Sequence, residues 1–444
     1  MTPKPARARR RDPARTVAFR VLRAVTADGA YANLELARQR GALNPDDAGF
    51  ATELVAGTCR ALGSYDRVIE RASGRPLRSL QPAVLDALRL GTHQLLAMRV
   101  PTHAALSTTV DLAALEVGER VAGLVNAVLR RVAERDWPAW LELLSDGEDD
   151  LGRLALAHHH PRWIVESWAR VLPAADLPEA LTADNVAPTP TLVVRPGLAS
   201  VGELGGTPAR WSPYGAYRDG DPGAVPAVAE GRAGVEDEGS QLVTLALARI
   251  DAPGGLWLDL CAGPGGKSAL LAGLARDAGT RLVASELQPH RARLVAENLR
   301  AYPEPNRPVT IVADGTRPAW RESSFGRVLA DVPCTGLGAL RRRPESRWRR
   351  RPEDLPGLVS LQRRLLASAI AATEPGGVVA YVTCSPHPDE TAAVVADTSG
   401  MSVLDAPSVL PEVPDAAAGR FVQLWPHRHG TDAMFLALLR REGR

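Results

Sequence analysis

Two cysteines follow predicted β-strands directly, at positions where a thiol could act as a nucleophile. Cys334 follows the apolar run "FGRVLADVP", and Cys384 ends the run "GGVVAYVTCS". The carboxyl ends of parallel strands meet at one edge of a sheet, so we expect both thiols to face one crevice. A thiolate that adds to carbon 6 of a pyrimidine makes carbon 5 nucleophilic enough to attack a methyl group. A small buried core residue is an equal explanation for either cysteine alone, but two thiols at two strand ends favour covalent catalysis.

The residues around these thiols refine the predicted chemistry. Asp331 ends the first run, where it could hydrogen-bond or protonate nitrogen 3 of the ring and so favour addition. Enzymes that methylate exocyclic amines usually carry an aromatic residue where Cys334 stands, so the cysteine indicates a different reaction. Cys59 and Cys261 are given no catalytic role. The four cysteines include no Cys-x-x-Cys pair, which predicts free thiols in a reducing cytosol and no structural zinc.

A glycine-rich loop, "LDLCAGPGGKS", follows another apolar run. A Walker A loop would need glycine at the position of Cys261, and a dinucleotide fingerprint would need glycine at the position of Ser268. Both patterns fail, so a phosphate cradle is not predicted. A short glycine loop after the first strand of a Rossmann-like sheet also lets the backbone approach a nucleoside closely. We therefore expect a cofactor to contact the loop residues Cys261, Ala262, Gly263, Pro264, Gly265, Gly266 and Lys267.

Two carboxylates complete this interpretation. Glu286 ends the run "RLVASEL" and suits a ribose diol, and Asp314 ends "PVTIVAD", where it could hold an adenine. A nucleoside cofactor without phosphates is then expected, and S-adenosylmethionine is the common one. The alternative is that both are ordinary strand-end or helix-cap carboxylates. Lys267 is one of only two lysines, the other being Lys4, which suggests that the loop requires a compact ammonium group rather than a guanidinium group.

The elements that must position these residues fall into segments. Residues 14–145 carry apolar positions at helical spacing and predict a bundle of at least five helices. Residues 146–235 are rich in proline and glycine and predict a linker or small intermediate domain. From residue 236 to 444, short apolar runs alternate with amphipathic ones, which predicts a doubly wound, Rossmann-like α/β domain. No run of eighteen apolar residues or signal-peptide core occurs, so we expect a cytoplasmic protein with no membrane partner.

Positive charge is concentrated in two places although the net charge is only +2. Residues 1–13 form a basic arm that we expect to be disordered, and "LRRRPESRWRRRPED" carries a second cluster. Such clusters suggest a polyanionic partner, and the alternative is a solvated tail and a solvated loop. Trp348 could equally stack on a base or anchor its loop. The candidate RNA contacts are Arg341, Arg342, Arg343, Arg347, Trp348 and Arg349. The histidine triplet at 158–160 has no matching ligand set, so no metal is expected.

The motifs together resemble a known family. "DLCAGPGGKS", "DVPCTGLGALRRRPESRW" and "YVTCSPHPDE" resemble the NOL1/NOP2/Sun family of RNA cytosine-5 methyltransferases, and "FATELVAGTCRALGSYDRVI" and "VNAVLRR" are similar to NusB-type RNA-binding domains. The resemblance implies S-adenosylmethionine as cofactor, held by the glycine loop, Glu286, Asp314 and Asp331. It implies that Cys384 is the nucleophile and that Cys334 aids product release. It also implies a monomer that acts on a cytidine of 16S ribosomal RNA, either free or in a small-subunit assembly intermediate.

Some positions depart from that family, and two other functions stay open. "DVPCTG" stands where "DAPCSG" is commoner, and "VVRPG" replaces an Arg-x-Asn pattern. A non-catalytic RNA-binding or assembly factor would require a dead active site, yet the loop, the carboxylates and both cysteines are present. A DNA cytosine-5 methyltransferase would use the Pro-Cys thiol as nucleophile, usually followed by glutamine. Here Thr335 follows, and a second cysteine is present.

Overall fold

The structure is a computed structural model that describes residues 9–304, 307–396 and 398–443. The chain divides into two compact units. The first runs to Ala169 and also includes Arg342–Arg350, and the second comprises Arg170–Arg341 and Arg351–Arg444. The division between units therefore falls after residue 169, whereas the sequence predicts boundaries after residues 145 and 235.

The first unit is helical. Its long helices are α1 (Pro13–Ala27), α2 (Ala32–Gln39), α3 (Pro45–Ser73), α4 (Pro82–Leu96), α5 (Thr102–Glu116), α6 (Ala122–Val132), α7 (Trp137–Leu144), α8 (Asp150–Ala157) and α9 (Arg162–Ala169). Capping residues define their ends: the Asp12 side chain accepts from the Arg15 amide at the start of α1, and Gly74 adopts a left-handed conformation after α3. Leu22, Leu54 and other fully buried side chains form the core. The predicted helical bundle is confirmed.

The remaining helices are short or belong to the second unit. They are α10 (Leu177–Ala183), α11 (Pro226–Ala229), α12 (Glu238–Arg249), α13 (Gly266–Asp277), α14 (Pro289–Leu299), α15 (Ser346–Arg349), α16 (Leu355–Ala372), α17 (Ala392–Val395) and α18 (Pro426–His429). Of these, α15 lies in the segment that belongs to the first unit.

The strands form two sheets, both in the second unit. They are β1 (Thr191–Val194), β2 (Thr207–Pro208), β3 (Gly215–Tyr217), β4 (Ala233–Val235), β5 (Leu256–Asp259), β6 (Leu282–Glu286), β7 (Val309–Val312), β8 (Phe325–Asp331), β9 (Thr373–Thr383), β10 (Met401–Val403), β11 (Ala417–Ala418), β12 (Phe421–Gln423) and β13 (Phe435–Arg441).

The larger sheet positions the candidate site. Its strand order is β11-β12-β13-β9-β8-β5-β6-β7, with β10 paired to β13. Strands β5 to β9 pair with one another in parallel, whereas β13 pairs with β9 in the antiparallel direction. Leu258 and Val328 are fully buried, which explains why these strands appear in the sequence as continuous apolar runs. The predicted Rossmann-like α/β class is confirmed, and the strand order reverses between β5 and β8, where such sheets bind ligands.

The smaller sheet was only partly predicted. It has four antiparallel strands in the order β2-β3-β1-β4 and a core that includes Leu192 and Ala216. The sequence indicates one strand here, "TLVVRP", because the other strands have only two or three residues and show no recognisable period. Residues 191–235 thus form a small sheet within the second unit.

The N-terminal arm is only partly described. Residues 1–8 lie outside the described residues. The Arg9 guanidinium forms an ion pair with Asp111 at 2.9 Å, and the Arg10 amide donates to the same carboxylate. The described end of the arm is therefore bound to the helical unit rather than disordered. No helix in the described parts of the chain is long and apolar enough to cross a membrane.

Candidate functional site

The glycine loop joins β5 to α13 and approaches the end of β6 closely. Gly265 has a φ of +111°, which favours glycine, and it caps α13. A β-carbon on Gly263 would lie 2.1 Å from Glu286 Oε2, so only glycine fits there. The absence of a side chain at Gly263 therefore lets the Glu286 carboxylate approach the loop backbone closely.

Glu286 lies at the carboxyl end of β6 and is fixed by this loop. Its Oε2 atom accepts from the Gly263 amide at 3.0 Å, and its Oε1 atom accepts from the Gln288 amide at 2.8 Å. The Arg291 guanidinium lies 3.7 Å from Oε2. Each carboxylate oxygen has two lone pairs, so each can accept a further hydrogen bond, as a ribose diol would require. Its cofactor role stays a prediction.

Asp314 follows β7. Its Oδ1 atom accepts from the Thr316 amide at 2.9 Å and from the Thr316 hydroxyl at 2.8 Å. The hydrogen bonds from Thr316 lower the pKa of this carboxyl group. These bonds agree with the alternative that Asp314 is an ordinary strand-end or cap carboxylate. They leave its second carboxylate oxygen available for a ligand, so the contact with the adenine also stays a prediction.

Asp331 and Lys267 form an ion pair at the ends of β8 and the glycine loop. Lys267 Nζ lies 2.8 Å from Asp331 Oδ2, and the two side chains are 16% and 27% exposed. Burial lowers the pKa of Lys267, but the Asp331 and Glu236 carboxylates raise it more, so the group is an ammonium at neutral pH. The compact charge expected from the sequence thus holds the Asp331 carboxylate in a fixed position.

The two candidate catalytic cysteines are in contact. Cys334 Sγ lies 3.4 Å from Cys384 Sγ, and both residues are partly exposed. The hydrogen bond to Cys384 and burial raise the pKa of the Cys334 thiol well above its ordinary value. Either sulfur can be the donor in this contact, so a proton held by Cys334 can be donated to the Cys384 sulfur.

A buried hydrogen-bond network fixes the two cysteine loops, and sequence reasoning did not identify it. Glu390 is fully buried and its Oε1 atom accepts from the Thr335 amide at 2.8 Å and from Gln362 Nε2 at 3.0 Å. Its Oε2 atom accepts from the Thr335 hydroxyl, which lies 3.0 Å from the Ser385 hydroxyl. Thr335 follows Cys334 and Ser385 follows Cys384. Glu390 ends the motif "YVTCSPHPDE", but only the folded structure shows that it is buried.

Two further buried carboxylates lie at the glycine loop and were also not identified from the sequence. Asp259 ends β5, and its Oδ2 atom accepts from the Ser268 hydroxyl, whereas its Oδ1 atom has no partner. Glu236 follows β4, and neither of its carboxylate oxygens has a partner. Burial raises the pKa of Asp259 to about 7 and that of Glu236 to about 8. A cation at this site would stabilise both ionised forms.

The predicted RNA-binding arginines mostly have partners within the protein. Arg341 is buried between Asp237 and Asp432, with N···O distances of 3.0 and 2.7 Å. Arg347 is fully buried and donates to the His159 carbonyl, and Arg349 donates to the Gly29 and Val25 carbonyls. These three placements contradict the expectation of a solvated basic rim.

The other members of the cluster are distributed differently. The Trp348 indole donates to the Cys59 and Arg60 carbonyls, which favours the loop-anchoring alternative. Arg343 is exposed and lies 5.1 Å from the centre of the Tyr31 ring, and Arg342 is half-buried. RNA contact stays a prediction for these side chains.

A metal site is not indicated in the described residues. No group of three or more His, Cys, Asp or Glu side chains in that part of the chain could hold an ion. His159 packs against the Trp137 ring, and burial lowers its pKa to about 3. The histidine triplet therefore contributes to the packing of the helical unit.

Comparison with known proteins identifies relatives over nearly the whole chain. The model of the 16S rRNA methyltransferase RsmB/F family matches residues 245–440, and that of the NusB family matches residues 12–134. Rv1407 of Mycobacterium tuberculosis, named as a methyltransferase with no stated substrate, is 51% identical over 99% of this chain and 100% of its own. The ribosomal RNA small subunit methyltransferase B of Pseudomonas putida is 33% identical over 88% of this chain and 91% of its own.

Solved structures show the same fold. The crystal structure of PH0851 has a TM-score of 0.80 at 22% identity and covers 97% of this chain and 99% of its own. NSun6 from Pyrococcus horikoshii, solved with SFG, has a TM-score of 0.53 at 17% identity and covers 64% of this chain and 99% of its own. At these identities the likeness is one of fold.

The residues of the site fit S-adenosylmethionine, the cofactor expected from the sequence. The Glu286 carboxylate, held by the Gly263 amide at the glycine loop, can accept further hydrogen bonds from a ribose diol. The partnerless oxygens of Glu236 and Asp259 provide buried negative charge beside the loop, which suits a cationic ligand. A nucleotide with several phosphates would be repelled by the same groups.

Proposed function

Since the chain belongs to the 16S rRNA methyltransferase RsmB/F family, we propose that it methylates carbon 5 of a cytidine in 16S ribosomal RNA through a covalent bond between Cys384 and the base. S-adenosylmethionine is the cofactor, and it supplies a methyl group on a sulfonium centre. The contact between the two sulfurs, 3.4 Å apart at the ends of adjacent strands, is the observation that carries the proposal. The names of the relatives support a small-subunit ribosomal RNA substrate.

The first step of the proposed mechanism is thiol addition. The Cys384 thiolate forms a bond to carbon 6 of the cytosine, and the electrons of the C5–C6 double bond move toward nitrogen 3 and carbon 5. As the sulfur adds, nitrogen 3 takes up a proton, and the Asp331 carboxylate, held by Lys267 at 2.8 Å, accepts a hydrogen bond from the resulting N3–H group. Protonation at nitrogen 3 neutralises the charge that develops on the ring, so carbon 5 becomes the nucleophile that accepts the methyl group.

The second step is release of the enzyme. The proton on carbon 5 passes to a base at the site, the C5–C6 double bond re-forms, and the bond between Cys384 and carbon 6 breaks. The Cys334 thiol, whose pKa is raised by its hydrogen bond to Cys384 and by burial, donates a hydrogen bond to the departing thiolate. The assignment of Cys384 rather than Cys334 as the nucleophile rests on the resemblance of its Thr-Cys-Ser motif, and it is unlike the order in a DNA cytosine-5 methyltransferase.

The proposed chemistry limits the kind of RNA structure in which the target cytidine can lie. A base inside a stacked helix cannot reach a thiolate, so the target cytidine must be extruded from its stack or lie in a loop or junction. Among the candidate arginines, Arg343 is exposed and is the one best placed to neutralise a phosphate. A cytoplasmic location and a monomeric state stay predictions.

The proposal is tested by methyl transfer and by adduct formation. The Cys384→Ala variant should lose at least about a thousandfold in tritiated methyl transfer to 16S ribosomal RNA, because the nucleophile is missing. The Cys334→Ala variant should accumulate a covalent protein–RNA complex that survives a denaturing gel, because the departing thiolate has lost its hydrogen-bond donor. Cys59→Ala removes a thiol that is buried in the helical core and should behave as wild type.

The outcomes separate the alternatives. Retained transfer in Cys384→Ala, or a trapped adduct through residue 334, would reject the nucleophile assignment. Methyl incorporation into DNA but not RNA would favour a DNA cytosine-5 methyltransferase, and no incorporation by the wild type would favour a non-catalytic factor. Mapping of 5-methylcytosine in ribosomal RNA from a deletion strain identifies the nucleotide.

A further inference from the structure

Glu236 is a buried carboxylate that the proposed mechanism does not use. It lies between the end of β4 and the start of α12, is 7% exposed, and has no hydrogen-bond partner on either oxygen. An ionised carboxylate that is buried without a partner is costly, and buried polar groups in folded proteins are almost always paired. Such a group, unpartnered in the protein alone, indicates a ligand that supplies the missing donors.

The surroundings of Glu236 show where that ligand would lie. Its Oε1 atom is 3.4 Å from the position that a β-carbon on Gly266 would take, so the carboxylate faces the start of α13 beside the glycine loop. The nearest ammonium group in the described chain, Lys267, is instead paired with Asp331 at 2.8 Å. Lys267 and Asp331 both influence Glu236 electrostatically, which places Glu236 near the strand ends of the candidate site.

The orientation of the cofactor follows from residues on either side of the loop. Glu286, at the end of β6, is suited to the ribose. The transferable methyl group must point toward the cysteines at the ends of β8 and β9. With the ribose at Glu286 and the methyl group toward the cysteines, the methionine half would extend toward the start of α13, where the Glu236 carboxylate lies. The methionine half carries one ammonium group, which is a donor-only cation that matches two acceptor oxygens.

We propose that Glu236 binds the ammonium group of the methionine half of S-adenosylmethionine and of the product S-adenosylhomocysteine. The carboxylate gains a charge-assisted partner that the protein does not provide, and the cofactor is held by an interaction that adenosine alone cannot make. The burial that raises the pKa of Glu236 to about 8 in the ligand-free protein is offset once the cation is bound. The proposal rests on the proposed function, because the position of the methyl group is taken from the two cysteines, but its test requires only ligand binding and no methyl transfer.

The experiment measures ligand binding by calorimetry without RNA, so its result does not depend on the proposed methyl transfer. The probes are S-adenosylhomocysteine, which has the ammonium group, and 5′-methylthioadenosine, which has the same nucleoside and sulfur but no amino acid. Loss of one charge-assisted hydrogen-bonded pair should weaken binding of S-adenosylhomocysteine by Glu236→Gln about 10- to 100-fold. Binding of 5′-methylthioadenosine should change by no more than about twofold. The control is Glu230→Gln, since Glu230 is an exposed carboxylate paired with Arg232.

The proposal is decided by whether Glu236→Gln loses affinity for S-adenosylhomocysteine but not for 5′-methylthioadenosine. Equal weakening of both ligands would overturn it, because the variant would then disturb the nucleoside site or the fold. Unchanged binding of S-adenosylhomocysteine would overturn it as well. If Glu236→Gln does not fold, Glu236→Asp tests the same point, because it keeps the charge and withdraws it by one methylene group. That variant should show a smaller loss, again confined to the ligand with the ammonium group, and a loss shared by both ligands would reject the assignment.

Discussion

Removal of the Glu390 carboxylate should separate the positioning of the two cysteines from cofactor binding. Its three hydrogen bonds come from the Thr335 amide, the Thr335 hydroxyl and Gln362 Nε2. In Glu390→Ala the hydroxyl can turn to Ser385, 3.0 Å away, but the Thr335 amide and one N–H bond of Gln362 lose their acceptor, while Gln362 Nε2 keeps its hydrogen bond to the Pro333 carbonyl. Each unsatisfied donor costs about 1–3 kcal/mol, so we expect a loss of about 4 kcal/mol in the free energy of unfolding.

The functional effect should be selective. Thr335 and Ser385 directly follow the two candidate catalytic thiols, so we expect loosening of their link to displace the sulfurs from each other. A displacement of about 1 Å at reacting groups can cost about a hundredfold in rate, which is the loss of methyl transfer that we expect in Glu390→Ala at temperatures where it remains folded. Binding of S-adenosylhomocysteine should be unchanged, because Glu390 lies in the cysteine loops and not at the glycine loop.

Two further variants make this test decisive. Glu390→Gln can still accept from the Thr335 amide and from Gln362 while its NH₂ group donates to the Thr335 hydroxyl, so it should recover most of the stability and activity. Asp389→Ala removes the neighbouring carboxylate, which is half exposed and paired with Arg170 at 3.1 Å, and should cost less than about 1 kcal/mol. Urea unfolding, calorimetry and methyl-transfer rates measure the three quantities. Wild-type rates in Glu390→Ala, or an equal loss of cofactor binding, would refute the positioning role.

Two predictions concern the helical unit. A β-carbon on Gly63 would lie 2.1 Å from the Trp348 ring, so Gly63→Ala should lower the free energy of unfolding by about 1–3 kcal/mol. Gly49 lies on the same helix in open space, so Gly49→Ala should raise the free energy of unfolding by up to about 1 kcal/mol. When Trp348 is also replaced by alanine, Gly63→Ala should raise the stability of the protein instead of lowering it. Thermal unfolding that shows no such change of sign would contradict the proposed contact between Gly63 and the Trp348 ring. Burial lowers the pKa of His93 to about 3, so the unfolded chain binds a proton below pH 6.5 that the folded chain does not. Stability should fall with decreasing pH from 6.5 toward 3, by up to about 1.4 kcal/mol per pH unit for this group, and urea titrations of His93→Gln should show a shallower slope.

The sequence predicts the catalytic sheet well for a physical reason. Parallel strands covered on both faces must be apolar throughout, so β5, β8 and β9 appear as short apolar runs, and the residues at their ends can be assigned without coordinates. The proximity of Cys334 and Cys384 follows from that rule and from strand adjacency. The 3.4 Å contact itself depends on the Glu390 network, whose members are distant in sequence and ordinary in type.

The arginine cluster shows where sequence reasoning fails. The same run of guanidinium groups suits a solvated rim or a buried segment, because arginine pairs with phosphates as readily as with carboxylates and carbonyls. Arg341 is buried by two aspartates that lie about a hundred residues away on either side in the sequence, and Arg347 by the carbonyl of His159. These partners are distant in the sequence, so no local pattern reveals them. The sequence therefore predicts the cluster of positive charge correctly, but the expectation that Arg341 and Arg347 lie on an exposed rim is wrong.

The distribution of charge around the glycine loop connects the proposals. The loop is surrounded by four carboxylates and two cationic side chains, namely Glu236, Asp259, Glu286, Asp331, Lys267 and Arg291. Two of those carboxyl groups have a raised pKa because burial is not compensated by a cation of the protein. A ligand with positive charge stabilises their ionised forms, whereas a neutral thioether at the sulfur position stabilises them less. The ammonium group that we propose for Glu236 is present in both cofactor and product, so the remaining buried negative charge of Asp259 is the one that we expect to favour the sulfonium of the cofactor over the neutral sulfur of the product.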